Sequence, residues 1–283
     1  MNMPRFYVAP LDLHGELSTD QAHHARDVLR LKPDAVVVLF DGSGQWAPAQ
    51  LTIHKKQVTY QLTAEIVCDP PPLYHLTIAT AVPQGYRAHD LLEKISQLGV
   101  DQLIWLECRY SVAHPVATAD KMDKWKRLAI ESAKQCGRNR ILAVEPPCTP
   151  MELLERRDKY RTMIWTDVQA AQSLLERLIS WRTDNIGPSW PIVDHNESLS
   201  PEASDNQAAK TLDRPAAHRG IPQIPCIAVM IGPEGGWSQE ERELLNHIAP
   251  PVLLGRHILR IETAATAAAA IIQAALCMSG FNF

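Results

Sequence analysis

An apolar run with no polar alternation, Pro225 to Ile231, breaks into Gly232-Pro233-Glu234-Gly235-Gly236-Trp237. Such a run is a strand buried on both faces, as in a parallel sheet. Three glycines within five residues then turn the chain sharply, because glycine adopts backbone angles closed to side chains. Ser238 caps the helix that follows, and Glu241 three residues later completes a capping box. The pattern recurs in shorter form: Pro251 to Leu254 ends at Gly255, and Thr263 leads an alanine-rich helix. Two glycine turns at the carboxyl ends of neighbouring strands make the crevice in which open α/β sheets bind ligands. Neither turn carries G-x-G-x-x-G or Gly-Lys-Ser/Thr, so the crevice suits a ligand not held mainly by its phosphates. Taken singly, either turn is equally a plain strand-to-helix connection.

From Leu76 onward strands and helices alternate. Strands are expected at Leu76 to Ala81, Leu103 to Leu106, Ile141 to Val144 and Thr162 to Thr166. Ala88 to Leu98 is an amphipathic helix with Leu91, Leu92, Ile95 and Leu98 on one face. Asp120 to Gly137 is a longer one, with Met122, Trp125, Leu128 and Ala129 as its buried stripe. This alternation predicts an α/β domain, a mostly parallel sheet with helices on both faces. The first 68 or so residues differ. A short helix over His23 to Leu31 and β-rich segments at 35–40, 45–53 and 57–67, with a hairpin signal at Asp41-Gly42-Ser43-Gly44, predict a small β-barrel. Asp69-Pro70-Pro71-Pro72 is a stiff linker, dividing the chain into 1–70 and 73–283. Residues 183–222 are rich in Pro, Ser, Asn, Asp and Ala and predict a long surface insertion without a catalytic role.

The net charge of -4 over 283 residues excludes a global basic field, so nucleic-acid contact must come from local patches. Arg26 and Arg30 stand at i, i+4 on the predicted short helix and share one exposed face. Lys121, Lys124, Lys126 and Arg127 form the densest basic cluster. Glu131, Gln135 and Arg138 fall at i, i+4 and i+7, on one helix face. Each of these sets is equally well read as a solvated face. Six scattered cysteines without C-x-x-C spacing argue against zinc and against a disulfide framework, and suit a reduced, cytoplasmic chain. No metal site is expected, and the stretch Ala264 to Met278 is too short to span a bilayer.

The segments Ile231-Gly232-Pro233-Glu234-Gly235-Gly236-Trp237 and Leu254-Gly255-Arg256-His257-Ile258-Leu259-Arg260-Ile261-Glu262-Thr263 resemble the closing signature of the RsmE family. These are bacterial uracil-N3 methyltransferases of 16S ribosomal RNA within the knotted SPOUT superfamily. His23-His24, Val28-Leu29-Arg30-Leu31 and Asp41-Gly42-Ser43-Gly44 resemble the PUA-like RNA-binding module that begins the same family. The resemblance implies a knotted α/β methyltransferase domain behind a PUA-like barrel, a homodimer, S-adenosylmethionine as methyl donor, and the 16S RNA of the small ribosomal subunit as acceptor. It places the donor against Ile231, Gly232, Pro233, Gly235, Gly236, Leu254, Gly255, Ile258, Leu259 and Thr263. Arg260 leads the catalytic candidates, with Arg138, Glu234 and Glu262. A fixed arginine suits charge developing on a uracil oxygen, whereas a structural Arg260 would pair with Glu262 or Glu234. RNA contacts are assigned to Arg26, Arg30, Lys32, Arg109, Lys124, Arg127 and Arg138. The chain departs from the family where the first large helix begins, with Gly85-Tyr86-Arg87-Ala88-His89 in place of a lysine-rich lead-in. It departs again at Gln97, where the family has Glu, and in the insertion. Two other classes compete: a catalytically inactive RNA-binding protein of the same fold, and a small-molecule enzyme on a nucleotide cofactor.

Overall fold

The computed structural model describes residues 3–115, 117–185 and 224–277, with 181–185 and 277 as backbone only. The amino-terminal strands are β1 (Arg5–Tyr7), β2 (His14–Glu16), β3 (Val36–Phe40), β4 (Gln45–His54), β5 (Gln57–Leu62) and β6 (Val67–Cys68). They form one sheet in the order β1-β3-β4-β5-β2, with β6 beside β4. Phe6, Leu39, Leu51 and Val58 are fully buried in a core of its own. The helix here starts earlier than the sequence suggests, because the Ser18 side chain caps α1 (Thr19–His23). It then widens into a π turn over His24–Val28. Val28 and Leu29 therefore face solvent. Arg30 takes a left-handed φ of 51°, so Arg26 and Arg30 do not share a helix face.

Seven strands follow: β7 (His75–Ala81), β8 (Gln102–Leu106), β9 (Ala143–Cys148), β10 (Thr162–Trp165), β11 (Gln172–Ser173), β12 (Cys226–Ile231) and β13 (Val252–Leu253). Between and after them run α2 (Arg87–Gln97), α3 (Ala119–Cys136), α4 (Pro150–Glu155), α5 (Leu174–Asn185), α6 (Gln239–Asn246) and α7 (Ile261–Cys277). Five of the strands make a wholly parallel sheet ordered β10-β12-β7-β8-β9. Ile227, Ala228, Val229 and Met230 of β12 have no exposed surface, as their unbroken apolar pattern requires.

Three expectations need correction. β13 is not a neighbour of β12; it pairs with β11 in a separate two-stranded sheet and touches the main sheet's margin at Thr166. Two prolines precede it, and proline has no N–H to extend a ladder. β9 begins two residues later than expected and runs through Pro146 and Pro147, which an edge strand with a register shift tolerates. The insertion expected over 183–222 loses its first three residues to α5, and the rest lies outside the described residues. Ser173 and Glu176 box the start of α5, each side chain accepting the other's backbone N–H.

Helix α3 ends at Gly137, whose φ of 82° turns the chain. Arg138 is thereby swung off the face that carries Glu131 and Gln135. Its Nη1 donates to the carbonyls of Ser96 (2.6 Å) and Val100 (3.0 Å), and Nη2 lies 3.6 Å from Asp101. Burial draws the Arg138 pKa below the usual arginine value, and Asp101 opposes that shift. The side chain fastens the end of α2 to the start of β8. Beside it Gly99 (φ 78°) lets α7 approach, since an added Cβ would lie 2.6 Å from Gln273 Nε2. Ala264, Ala265, Ala268 and Ala269 of α7 are buried, so the alanines serve close packing as well as helix propensity.

The two sheets meet where the 41–44 turn docks on residues 139–141. Gly44 N–H donates to Asn139 O, Ile141 N–H to Gly42 O, and Arg140 Nη1 to Ser43 O. Asn139 in turn donates to the Asp69 carboxylate and accepts from Arg5, so the linker is pinned by side chains as well as stiffened by proline.

Arg138→Ala is expected to lower the unfolding free energy by about 2–4 kcal/mol, since it strips a mostly buried carboxylate and two carbonyls of their shared donor. Arg138→Lys should recover little, because one ammonium cannot span all three acceptors. Urea unfolding of the three proteins measures this, and equal midpoints would refute it.

Candidate functional site

A cavity of about 380 Å³ opens at the carboxyl ends of β10 and β12 and is closed by the segment after β13. Its size falls in the range of about 300–1,000 Å³ typical of small-molecule sites. Ile231, Gly232, Pro233, Gly235, Gly236, Leu254, Gly255, Ile258 and Leu259 all line it. Thr263 does not. Because α7 starts at Ile261, two residues before the sequence suggests, Ile261 and Ala264 turn inward at i, i+3 and Thr263 faces solvent.

Trp237 floors the cavity. Its indole N–H donates to Thr166 O at 2.9 Å, and its ring meets Trp165 edge-on. Gly232 permits this: a Cβ there would lie 2.9 Å from Trp237 Cε2. Gly236 has a φ of 74°, and a Cβ on Gly235 would lie 2.8 Å from Tyr110 Cβ. The capping box of Ser238 and Glu241 forms as the sequence indicates. Glu241 also does something the sequence does not reveal, accepting the backbone N–H of Arg109 at 2.8 Å with its other oxygen. Asp167 and Arg242, absent from the candidates, face each other on the wall at 2.5 Å, and Arg242 Nε donates to Trp237 O. The sole sequence signal for Asp167 is its place at the end of β10.

Arg260 stands exposed on the cavity rim. Its carbonyl accepts from Ala264 and starts α7, so the residue stands at the positive end of the helix dipole. The Arg260 guanidinium pairs with neither Glu262 nor Glu234 among the described residues. Glu234, also on the rim, lies 3.9 Å from Arg87. Glu262 is only 7% exposed, is not on the cavity wall, and has one oxygen without a hydrogen-bond partner. It lies toward Lys94, whose pKa is raised first by Asp90 and less by Glu262. Arg138 is away from the cavity within this chain. Burial, with Glu241 adding to it, pushes the Cys108 pKa up to about 12, which disfavours the thiolate.

Of the basic candidates, Arg26 is engaged, with Asp27 raising its pKa and Lys55 O accepting a further bond. Arg30, Lys32, Arg109, Lys124 and Arg127 are exposed. Among the described residues no three His, Cys, Asp or Glu side chains gather as metal ligands, and no helix is long and apolar enough to cross a membrane.

The family model of the RNA methyltransferase domain matches residues 69–189 and 194–273, and that of the RNA methyltransferase PUA domain matches 17–62. The chain is 28% identical over 279 residues to the ribosomal RNA small subunit methyltransferase E of Synechocystis sp., covering 96% of this chain and 78% of the relative. It is 26% identical over 272 residues to the protein of that name from Mycobacterium tuberculosis, covering 93% and 88%. Among solved structures it is similar to a ribosomal RNA small subunit methyltransferase E from Neisseria gonorrhoeae bound to S-adenosyl methionine. That likeness has 25% identity and a TM-score of 0.70 over 96% of this chain and 98% of the other. A Legionella pneumophila protein in complex with the bound cofactor SAM is similar at 25% identity and a TM-score of 0.74, over 97% and 98%.

Gly232→Ala is expected to displace Trp237 and cost about 1–3 kcal/mol, with a shift in tryptophan emission. Gly255→Ala, where no atom lies within 4 Å of the added Cβ, should stay within about 0.5 kcal/mol of the unsubstituted protein. Equal losses in denaturant titrations would refute the assignment of Gly232 as the residue that admits the indole.

Proposed function

The chain belongs to the RNA methyltransferase family, and from that premise we propose that it methylates N3 of a uridine in 16S ribosomal RNA, with S-adenosylmethionine as donor. The observation that carries the reading is the glycine-walled cavity with an arginine on its rim that has no ion-pair partner among the described residues.

The residues present fit that donor. Ile231, Leu254, Ile258 and Leu259 give apolar surface for an adenine ring, and the turns around Gly232 and Gly255 offer backbone groups to its edges. Gly255 has open space where a side chain would stand. Asp167 is already matched by Arg242, so the wall carries no uncompensated charge from that pair. When bound, S-adenosylmethionine supplies a methyl group activated by its sulfonium. The chain's own task is the acceptor. Uracil N3 must lose its proton and gain the methyl group, which puts negative charge on the ring oxygens as the proton leaves. Arg260, without an ion-pair partner among the described residues and at the start of α7, meets that charge in this reading. Glu234 is the carboxylate on the rim where the proton departs. Glu262 is set behind the wall, toward Lys94, and is given no part in the transfer. A base presented at its pairing edge must leave its stack.

The reading extends to the rest of the chain. Residues 1–70 act as the RNA-binding PUA-like unit and 73–283 as the catalytic one, in support of which the two family models part between 62 and 69. A knotted path is in keeping with β12, late in the chain, lying inside the sheet between β10 and β7. A homodimer is supported by the exposed apolar side chains Val168, Leu175 and Ile179 near the cavity, which a second copy would cover. The reaction belongs in the cytoplasm, where small ribosomal subunits are built.

Labelled S-adenosylmethionine and small ribosomal subunits lacking the mark are expected to yield 3-methyluridine. Arg260→Ala should reduce kcat by about 10²–10³ while donor affinity persists. Donor binding without any marked RNA would refute the substrate, and an unchanged kcat in the variant would refute the role of Arg260.

A further inference from the structure

β12, β7 and β8 lie side by side, so the loops leaving their carboxyl ends form a row. The first is the glycine turn. The second leads into α2 through Tyr86, and it is tied to the third by the bridge between Val82 and Ala113. The third carries Arg109 and Tyr110. The cavity occupies the β10 and β12 end of this row, which leaves the β7 and β8 end unassigned.

That end presents two aromatic faces to solvent. Tyr86 is 74% exposed, and its ring is stacked on His89 with centroids 5.2 Å apart and planes at 18°. Its neighbour Arg87 reaches Glu234 across the glycine turn. Tyr110 is 51% exposed and stands against Gly235 so closely that no side chain fits there. Its backbone is held from below, since Glu241 fixes the N–H of Arg109. Two exposed tyrosines thus stand by the glycine turn, Tyr110 against Gly235 and Tyr86 next to Arg87, which lies 3.9 Å from Glu234. Tyr86 stands in the stretch where the resemblance called for lysines. A lysine there would grip phosphate, whereas an aromatic face takes a base.

We propose that Tyr86, backed by His89, and Tyr110 form a stacking shelf for unpaired bases of the RNA substrate beside the methyl-transfer site. The inference rests on the reading of the chain as an RNA methyltransferase and deepens it. A nucleotide drawn out of its stack loses contact on both faces, and aromatic side chains restore that contact. Because every base has a π face, the shelf tolerates sequence. Because it binds no phosphate, it adds little to the salt dependence of binding. Arg109, exposed beside Tyr110, is placed for the backbone between the stacked bases.

The test measures binding of a fluorescein-labelled single-stranded oligouridylate to the full chain by anisotropy, across a salt series. Tyr86→Ala, Tyr110→Ala, Tyr86→Phe and Tyr110→Phe are compared with the unsubstituted protein, with donor affinity as the measure of an intact fold. The Ala variants are expected to raise Kd roughly tenfold each, with the salt slope and donor affinity unchanged, while the Phe variants stay within about twofold. The shelf is overturned if the Ala variants bind within twofold of the parent, or if Phe loses as much as Ala. It is also overturned if the Ala variants sediment as a smaller species, which would give these faces to a second copy of the chain. An unsubstituted protein that methylates subunits but has no affinity for the oligouridylate sinks the shelf alone. One that neither methylates nor binds RNA sinks the underlying reading with it.

Discussion

The hydrogen bond from the Trp237 indole to Thr166 O joins two loops that are 71 residues apart in the chain. Such a bond is worth only about 0.5–1.5 kcal/mol net, but it sets the spacing between the ends of β10 and β12, and that spacing is the cavity. Everything around it defends the same geometry. Gly232 leaves room for the indole, Trp165 meets it edge-on, and Arg242 binds the carbonyl of Trp237 while facing Asp167. Glu241 extends the brace outward by fixing both its own helix start and the loop after β8. Three loops from distant parts of the chain are thus held by one short segment, Gly232 to Arg242.

What the sequence makes legible is local. The buried strand over 226–231 shows in its unbroken apolar run, and the start of α6 in the spacing of Ser238 and Glu241. Nine of the ten residues named for the donor line the cavity, because a glycine turn at a strand's carboxyl end carries its position with it. What the sequence hides is pairwise and long-range. Nothing in Val252-Leu253 says that it joins β11 and not the main sheet. Nothing near Arg138 says that a left-handed Gly137 turns it toward Ser96 and Val100. Thr263 fails for a smaller reason: moving a helix start by two residues rotates every later side chain by about 200°. Asp167 and Arg242 neutralise each other across 75 residues, and neither alone has a motif.

The amino-terminal unit attaches mainly through polar contacts made by the 41–44 turn, Arg5 of β1 and Asp69 of the linker, with Lys134 of α3 over the Phe6 ring. Contacts of that composition resemble the interfaces between domains that keep their own cores, and the separate cluster around Phe6 and Leu39 fits that description. The cations are spread over both units. Arg30 and Lys32 stand on the first, and Arg109, Lys124 and Arg127 on the second. On a chain of net charge -4, the exposed cations thus lie in patches on both units.

The central position of β12 carries a consequence for how the protein is made. The ribosome releases β7, β8, β9 and β10 first; β7, β8 and β9 pair with one another, but β10 has no partner in this sheet until β12 arrives. Between β7 and β10 a strand-wide gap remains until Ile231 has emerged, and α7, which covers it, comes later still. Until then two apolar strands offer unpaired N–H and C=O edges, the kind of surface that recruits other chains. Closing the seam joins residues roughly 65 and 150 positions apart, which makes it slow by topology alone. The seam therefore stays open while the chain between β10 and β12, residues 166–225, is made.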